Sequence, residues 1–251
     1  MKKFFCSFLL IFTFTSLSAY AQMFDVNSRV LTLMYHNLSN YESESGAFTI
    51  TAAEFEKDIV FLLNEGYTFY TASEVKNLKN SPESYKAAVI TFDDGYSSFV
   101  DIALPILEKY NAKATVFVIG AKVGTDRYLS SDDLKKLAEI PNIEIGNHSY
   151  AVHLSEPKQV QQMYFSNVKN AFADYVKNAD YLFSITGKKI TSVSYPYGIY
   201  SQYLNYLITK DGVTTYSSDT SRVDLNISPY GRINRAYNTA AEEIVKLFND
   251  K

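Results

Sequence analysis

The residues of this 251-residue chain that could do chemistry are few, and they sit just behind short apolar runs. In Ala88-Val89-Ile90-Thr91-Phe92-Asp93-Asp94-Gly95-Tyr96, such a run ends in two adjacent carboxylates and a glycine. Neighbouring residues at a strand end point in different directions, so one carboxylate can bind a cation while the other handles a proton. Two aspartates at a turn also serve as plain turn chemistry. The three histidines, His36, His148 and His153, each follow a run of the same kind or lie close behind one that does. His148 and His153 are five residues apart, which on a helix would put them about 140° from each other. Sharing an ion therefore requires a loop or an irregular turn. One carboxylate oxygen from Asp94 and two imidazole nitrogens would make a three-ligand catalytic metal site with positions open to water.

The elements that must position these residues alternate between short apolar runs and longer stretches of helical period, the pattern of an α/β fold with a mostly parallel sheet or barrel. Strands are expected at Arg29 to Tyr35, Tyr67 to Tyr70, Ala88 to Phe92, Ala114 to Ile119, Ile143 to Ile145, Ile190 to Ser194, Thr214 to Tyr216 and Arg232 to Arg235. A capping box at Thr51-Ala52-Ala53-Glu54 opens a helix that Gly66 stops. Further helices are expected at Ala72 to Leu78, Ser98 to Tyr110 (late-starting or kinked at Pro105), from a Ser131 cap to Ala138, Val160 to Thr186, Tyr203 to Thr209 and Ala240 to Phe248. The chemistry-bearing residues cluster just after strands, where barrels and doubly wound sheets place their sites.

Composition narrows the setting. Lys2 and Lys3, the apolar stretch Phe4 to Leu17 and the small-x-small triplet Ala19-Tyr20-Ala21 form a cleavable signal peptide, residues 1–21, rather than a membrane anchor. The expected mature chain, residues 22–251, is one domain outside the cytoplasm, secreted or periplasmic, with no stable membrane span. Cys6, the single cysteine, falls in the removed segment, which excludes disulfides and cysteine metal ligands. Removal of two lysines and no acids takes the formal net charge from −3 to −5. An acidic chain without basic clusters argues against nucleic acid as a partner. The 21 Tyr and 17 Phe, some outside the core, could form a platform for sugar rings.

Thr91-Phe92-Asp93-Asp94-Gly95, His148-Ser149-Tyr150-Ala151-Val152-His153 and Tyr195-Pro196-Tyr197-Gly198 resemble, in order and spacing, the three main signatures of the polysaccharide deacetylase family. This is the NodB-homology family of metal-dependent carbohydrate esterases, and the resemblance runs from residue 30 to 250. It implies a distorted (β/α) barrel that removes acetyl groups from N-acetylated sugars. Asp94, His148 and His153 would hold a divalent ion, usually zinc in this family although cobalt, nickel or iron also serve. Asp93 would be the general base, and the backbone N–H of Tyr197 would help stabilise the oxyanion. The extra residue between the histidines resembles the branch acting on poly-N-acetylglucosamine exopolysaccharide. The family's usual Leu-x-Leu strand with its acid histidine is missing from the C-terminal end, but Leu31-Thr32-Leu33-Met34-Tyr35-His36 resembles it in kind. In the exopolysaccharide branch the barrel is circularly permuted with that strand at the front, which makes His36 the candidate general acid.

Two departures stand out. The arginine that usually precedes the Pro-Tyr-Gly turn and orients the base is replaced by Ser194 and Tyr195. Arg232 or Arg235 is expected to do its work, with Arg235 preferred. There is no Trp to line the acetyl pocket, so Tyr and Leu must form it. The resemblance also leaves room for an O-acetyl esterase on xylan or another glycan, and for an inactive sugar-binding module of the same fold.

Overall fold

A computed structural model describes residues 30–79, 81–218, 228–235 and 239–249. The expected signal peptide lies outside these residues. Ten strands are described: β1 (Leu31–Tyr35), β2 (Asn37–Ser39), β3 (Thr49–Thr51), β4 (Thr68–Tyr70), β5 (Ala87–Phe92), β6 (Ala114–Val118), β7 (Ile143–Asn147), β8 (Ser192–Ser194), β9 (Thr214–Tyr216) and β10 (Ile233–Asn234). Eight of them make one sheet in the order β10-β1-β5-β6-β7-β8-β9, with β4 sharing an edge of β5 with β6. Every pairing in it is parallel. The sheet curls until its ends meet through Tyr230. That residue donates its N–H to Thr215 O and accepts from Ser217 N, and three residues later Ile233 pairs with Leu33 of β1. The result is the expected distorted barrel, with the N-terminal strand β1 seated between the C-terminal β10 and β5.

Alternation along the strands separates two environments. Leu31, Leu33 and Tyr35, with Ala88, Ile90 and Phe92 and then Val116 and Val118, face outward into the main apolar core under the helices. Val89, Phe117 and Tyr216 face inward and pack on the 3₁₀ helix Ala72–Leu78. Thr115 Oγ1 accepts from Ala72 N and Glu144 Oε2 from Ser73 N, so this helix closes the barrel at the strands' N-terminal ends. Their C-terminal ends stay open. The interior is tight: a Cβ on Gly146 would stand 2.4 Å from the Phe117 ring.

Among the described residues seven α-helices surround the sheet: α1 (Ala52–Asn64), α2 (Leu104–Lys109), α3 (Ser131–Ala138), α4 (Pro157–Ser166), α5 (Val168–Thr186), α6 (Gln202–Thr209) and α7 (Ala241–Asn249). The Thr51 capping box forms as expected, whereas α3 is capped by Ser130 with Asp133, one residue before the expected Ser131. The stretch expected as one helix from Val160 breaks at Asn167 (φ −139°) into α4 and α5, and Gly187 closes α5 in the left-handed conformation. Before Pro105 the chain makes a π turn, Phe99–Ala103, a widened ladder that absorbs the missing proline N–H. Asn37–Ser39 and Thr49–Thr51 form an unexpected two-stranded parallel ribbon within the loop after β1. Among the described residues no helix is long and apolar enough to cross a membrane.

Candidate active site

Inward positions at the C-terminal ends of β1, β5, β7, β8 and β10 converge on a cleft of about 420 Å³ lined by His36, Asp93, Asp94, His148, His153, Tyr197, Met34, Phe48, Tyr96 and Asn234 among others. A larger groove of about 670 Å³ between α5 and α6 is mainly apolar and holds no histidine.

The two aspartates diverge because the backbone turns between them. Asp93 still continues the ladder, donating its N–H to Tyr35 O at 2.9 Å. Asp94 and Gly95 then both take positive φ, 74° and 80°. Gly95 is also held against Val118, whose nearest side-chain atom would lie 3.3 Å from an added Cβ. Asp93 therefore points into the barrel and Asp94 across the mouth.

Asp94 meets the histidine pair there. Its Oδ1 lies 3.5 Å from His148 Nε2 and 3.4 Å from His153 Nε2, and it is buried without a hydrogen bond. One ligand atom from each of the three lies within 4.8 Å of the others. His148 Nδ1 donates to Ser194 O at 2.9 Å, which fixes the ring and leaves Nε2 facing Asp94, as metal-binding histidines are commonly held. An orphaned carboxylate oxygen facing two imidazole nitrogens fits a divalent cation. Burial pushes the Asp94 carboxyl up, but the His148 and His153 rings outweigh this and hold it below the usual carboxylate value. Burial and the neighbouring His148 bring His153 down to about 4, so it is neutral and able to ligate. For His148, burial is outweighed by Asp93 and Asp94, and its pKa is raised.

Asp93 has a different partner. Arg232 grips it with a fork, Nη1 to Oδ1 and Nη2 to Oδ2, both 2.7 Å, in a pair that is almost fully buried. The same guanidinium donates to Ser194 Oγ (2.7 Å), Thr91 Oγ1 (3.2 Å) and Ser217 O (3.0 Å), and Ser194 Oγ donates on to Asp93 Oδ2. Burial alone would raise the Asp93 pKa, but Arg232 and then His148 overcome it and keep the carboxyl far below its ordinary range. The preference for Arg235 is corrected. Residue 235 is outward in the alternation, and its guanidinium bonds Asp58 of α1 (Nε to Oδ2, 2.6 Å), where Tyr35 Oη and Ala241 N also donate. Ser194, in the place of the missing arginine, completes the Arg232 network rather than replacing it.

His36 stands on the other side of the cleft with its ring 4.9 Å from Phe48. Burial and Arg232 lower its pKa against the raising effect of the two aspartates, with burial the largest influence. Tyr197 occupies a left-handed turn (φ 57°), packs its ring 4.7 Å from His153 and donates its hydroxyl to the carbonyls of His153 and Ser155. Phe48, Tyr96 and Asn234 join the cleft without a sequence signal; Phe48 directly precedes β3 of the unexpected ribbon and accepts from Asn37 N.

Residues 80–216 match the family model described as polysaccharide deacetylase. YxkH of Bacillus subtilis is 32% identical over 200 residues, covering 76% of this chain and 66% of its own. The poly-beta-1,6-N-acetyl-D-glucosamine N-deacetylase of Staphylococcus aureus is 25% identical over 190 residues, 73% of this chain and 66% of that one. The chain thus spans just under two thirds of the length of these relatives. Among solved structures, IcaB from Ammonifex degensii superposes with a TM-score of 0.77 at 20% identity, covering 88% of this chain and 97% of that one. The Streptococcus pyogenes deacetylase PplD in complex with acetate gives 0.75 at 20%, covering 87% and 97%. These two likenesses establish the fold. With more than half of its length matched by the family's model, the chain belongs to the polysaccharide deacetylase family.

Proposed function

We propose that this protein removes N-acetyl groups from a β-linked N-acetylglucosamine polymer outside the cytoplasm, with zinc held by Asp94, His148 and His153. The observation that carries the proposal is the orphaned, buried Asp94 oxygen facing two imidazole nitrogens, next to a second carboxylate kept ionised by its own arginine. The Staphylococcus aureus relative, named for poly-β-1,6-N-acetylglucosamine, supports the substrate class.

A cation at this site supplies Lewis acidity to the acetyl carbonyl and to a water molecule. Asp93, ionised and aimed into the cleft by Arg232, accepts the proton of the attacking water. The Tyr197 backbone, presented by the left-handed turn, faces the oxygen on which charge develops. His36, on the opposite wall, delivers a proton to the amine nitrogen as the C–N bond breaks, and acetate leaves. The ends of β1, β5, β7 and β8 thus divide the work of one amide hydrolysis. The test is acetate release by the purified, zinc-loaded protein from poly-β-1,6-N-acetylglucosamine, chitin oligomers, peptidoglycan and acetylated xylan. Release from the N-acetylated polymers supports the reading; release from acetylated xylan alone makes the protein an O-acetyl esterase, and release from none refutes both.

A further inference from the structure

The five-residue interval between His148 and His153 needs a support that the motif itself does not contain. Ser149 sits at φ 68° and Ala151 at φ −139°, so the loop is irregular up to the short 3₁₀ turn Val152–Leu154 that carries His153. An accounting of its backbone groups shows how it is held. The carbonyls of Ser149 and Tyr150 accept from Gly120 and Ala121 N–H. Ser149 N donates to Asn147 Oδ1, and His153 N to Ser149 Oγ. Tyr150 N and Ala151 N have no partner inside the loop. Both donate to Asp174 of α5, to Oδ1 at 2.7 Å and Oδ2 at 3.0 Å.

Asp174 does not act alone. Residues 174, 177, 178 and 181 lie on one face of a helix. Lys177 Nζ stands 3.5 Å above the Tyr150 ring, and Tyr181 meets the same ring edge-on with centroids 5.7 Å apart. Asn178 Nδ2 donates to Asn147 Oδ1 and to Val118 O. One stripe of α5 therefore grips the loop by its backbone and by its largest side chain. The stripe forms no part of the family signatures quoted above, and nothing on it reaches the cleft.

We propose that Asp174 is a positioning residue for the metal: its carboxylate gathers two consecutive loop N–H groups and so fixes the distance between the His148 and His153 ligand atoms. The proposal rests on the reading of Asp94, His148 and His153 as a metal site. A carboxylate is suited to this task, because it accepts two parallel donors and forms stronger hydrogen bonds than a neutral acceptor. Loss of one acceptor frees the loop to relax towards solvent and carries His153 with it, whereas His148 remains anchored through Ser194.

Zinc affinity of the full chain, measured by competition with a fluorescent chelator, together with the melting temperature of the zinc-free protein, tests this. Asp174→Asn is expected to weaken zinc binding about 10- to 100-fold, the usual effect of losing a group that orients a metal ligand. Asp174→Glu, which keeps both acceptor oxygens, is expected to recover much of that loss, and the zinc-free melting temperatures stay close to wild type. Wild-type affinity in Asp174→Asn, no recovery in Asp174→Glu, or an Asp174→Asn chain that no longer folds overturns the positioning role. A wild-type protein that binds no zinc, or binds it equally well as His153→Ala, overturns the metal-site reading itself and the role of Asp174 with it.

Discussion

Replacing Arg232 tests the central electrostatic feature of the site. In Arg232→Ala the Asp93 carboxylate stays buried at 3% exposure but loses both teeth of its fork, and Ser194 Oγ, Thr91 Oγ1 and Ser217 O lose their donor. Breaking one partner of a buried ion pair costs about 3–5 kcal/mol, because the other charge is left uncompensated. For a chain of this size that corresponds to a fall in melting temperature of roughly 6–20 °C. Arg232→Lys keeps a charge but no fork, so the loss should be smaller and the carboxylate less well aimed. A misaimed base costs on the order of 10²-fold in kcat/KM.

The pH dependence separates this from general damage. Asp93 has a depressed pKa, so its contribution to stability is present above the ordinary carboxylate value and is lost as pH falls through the native one. Without Arg232 the largest lowering influence is gone while burial remains, and the Asp93 pKa rises. The acid limb of the kcat/KM profile for acetate release should therefore move to higher pH in Arg232→Ala, and by less in Arg232→Lys, which keeps the charge. Arg235→Ala also breaks a buried pair, with Asp58, and should lower the melting temperature by a similar amount without moving that limb. An acid limb that moves in Arg235→Ala, or one that stays in place in Arg232→Ala, would refute the assignment.

Three further outcomes are expected. Asp93→Asn should retain zinc, measured by metal analysis, and lose most acetate release, whereas His153→Ala should lose both; equal activity in wild type and Asp93→Asn removes Asp93 as the base. His36→Gln should reduce kcat by about 10²–10⁴-fold at unchanged metal content, the range for a lost general acid, and a smaller loss assigns the proton delivery elsewhere. Gly146→Ala should destabilise the chain by about 1–3 kcal/mol in thermal or denaturant unfolding, since its Cβ would press on the Phe117 ring and on Ser192 Oγ, 2.8 Å away; an unchanged midpoint would mean the barrel interior yields.

Much of the site was legible because its residues follow strand ends in the chain itself. Asp93, Asp94 and His148 sit one to three positions after apolar runs, and the strand's period of two decides which way Asp93 and His148 face. The same period could have chosen between the arginines: Arg232 and Asn234 share the inward face, and Arg235 does not. Contacts made by residues distant in sequence left no such trace. Asp58 and Arg235 are separated by 177 positions, and Asp174 stands in an ordinary helical pattern. The ribbon beside Phe48 leaves no trace in the sequence because Asn37–Ser39 and Thr49–Thr51 are too short to show an alternation. The break at Asn167 leaves none for the opposite reason, since apolar residues continue at helical spacing across it.

The order of strands also explains how two adjacent carboxylates stay ionised in one buried site. Like charges this close raise each other's pKa unless each has its own cation. Asp94 is answered by His148, which directly follows β7 and whose pKa is raised, against burial, by the two aspartates, while the neutral His153 stands beside it. Asp93 is answered by Arg232, which reaches it only because β10 pairs with β1 and brings the C-terminal segment to the N-terminal strand. That same β1 carries His36. The proposed ligand set therefore depends on the middle of the sheet, whereas the proposed acid His36 and the clamp on Asp93 depend on the pairing of β1 with β10. Loosening the β1–β10 seam should first disturb proton transfer and leave the cation ligands in place. This is the physical reason to expect that Arg232 and His36 variants keep their zinc.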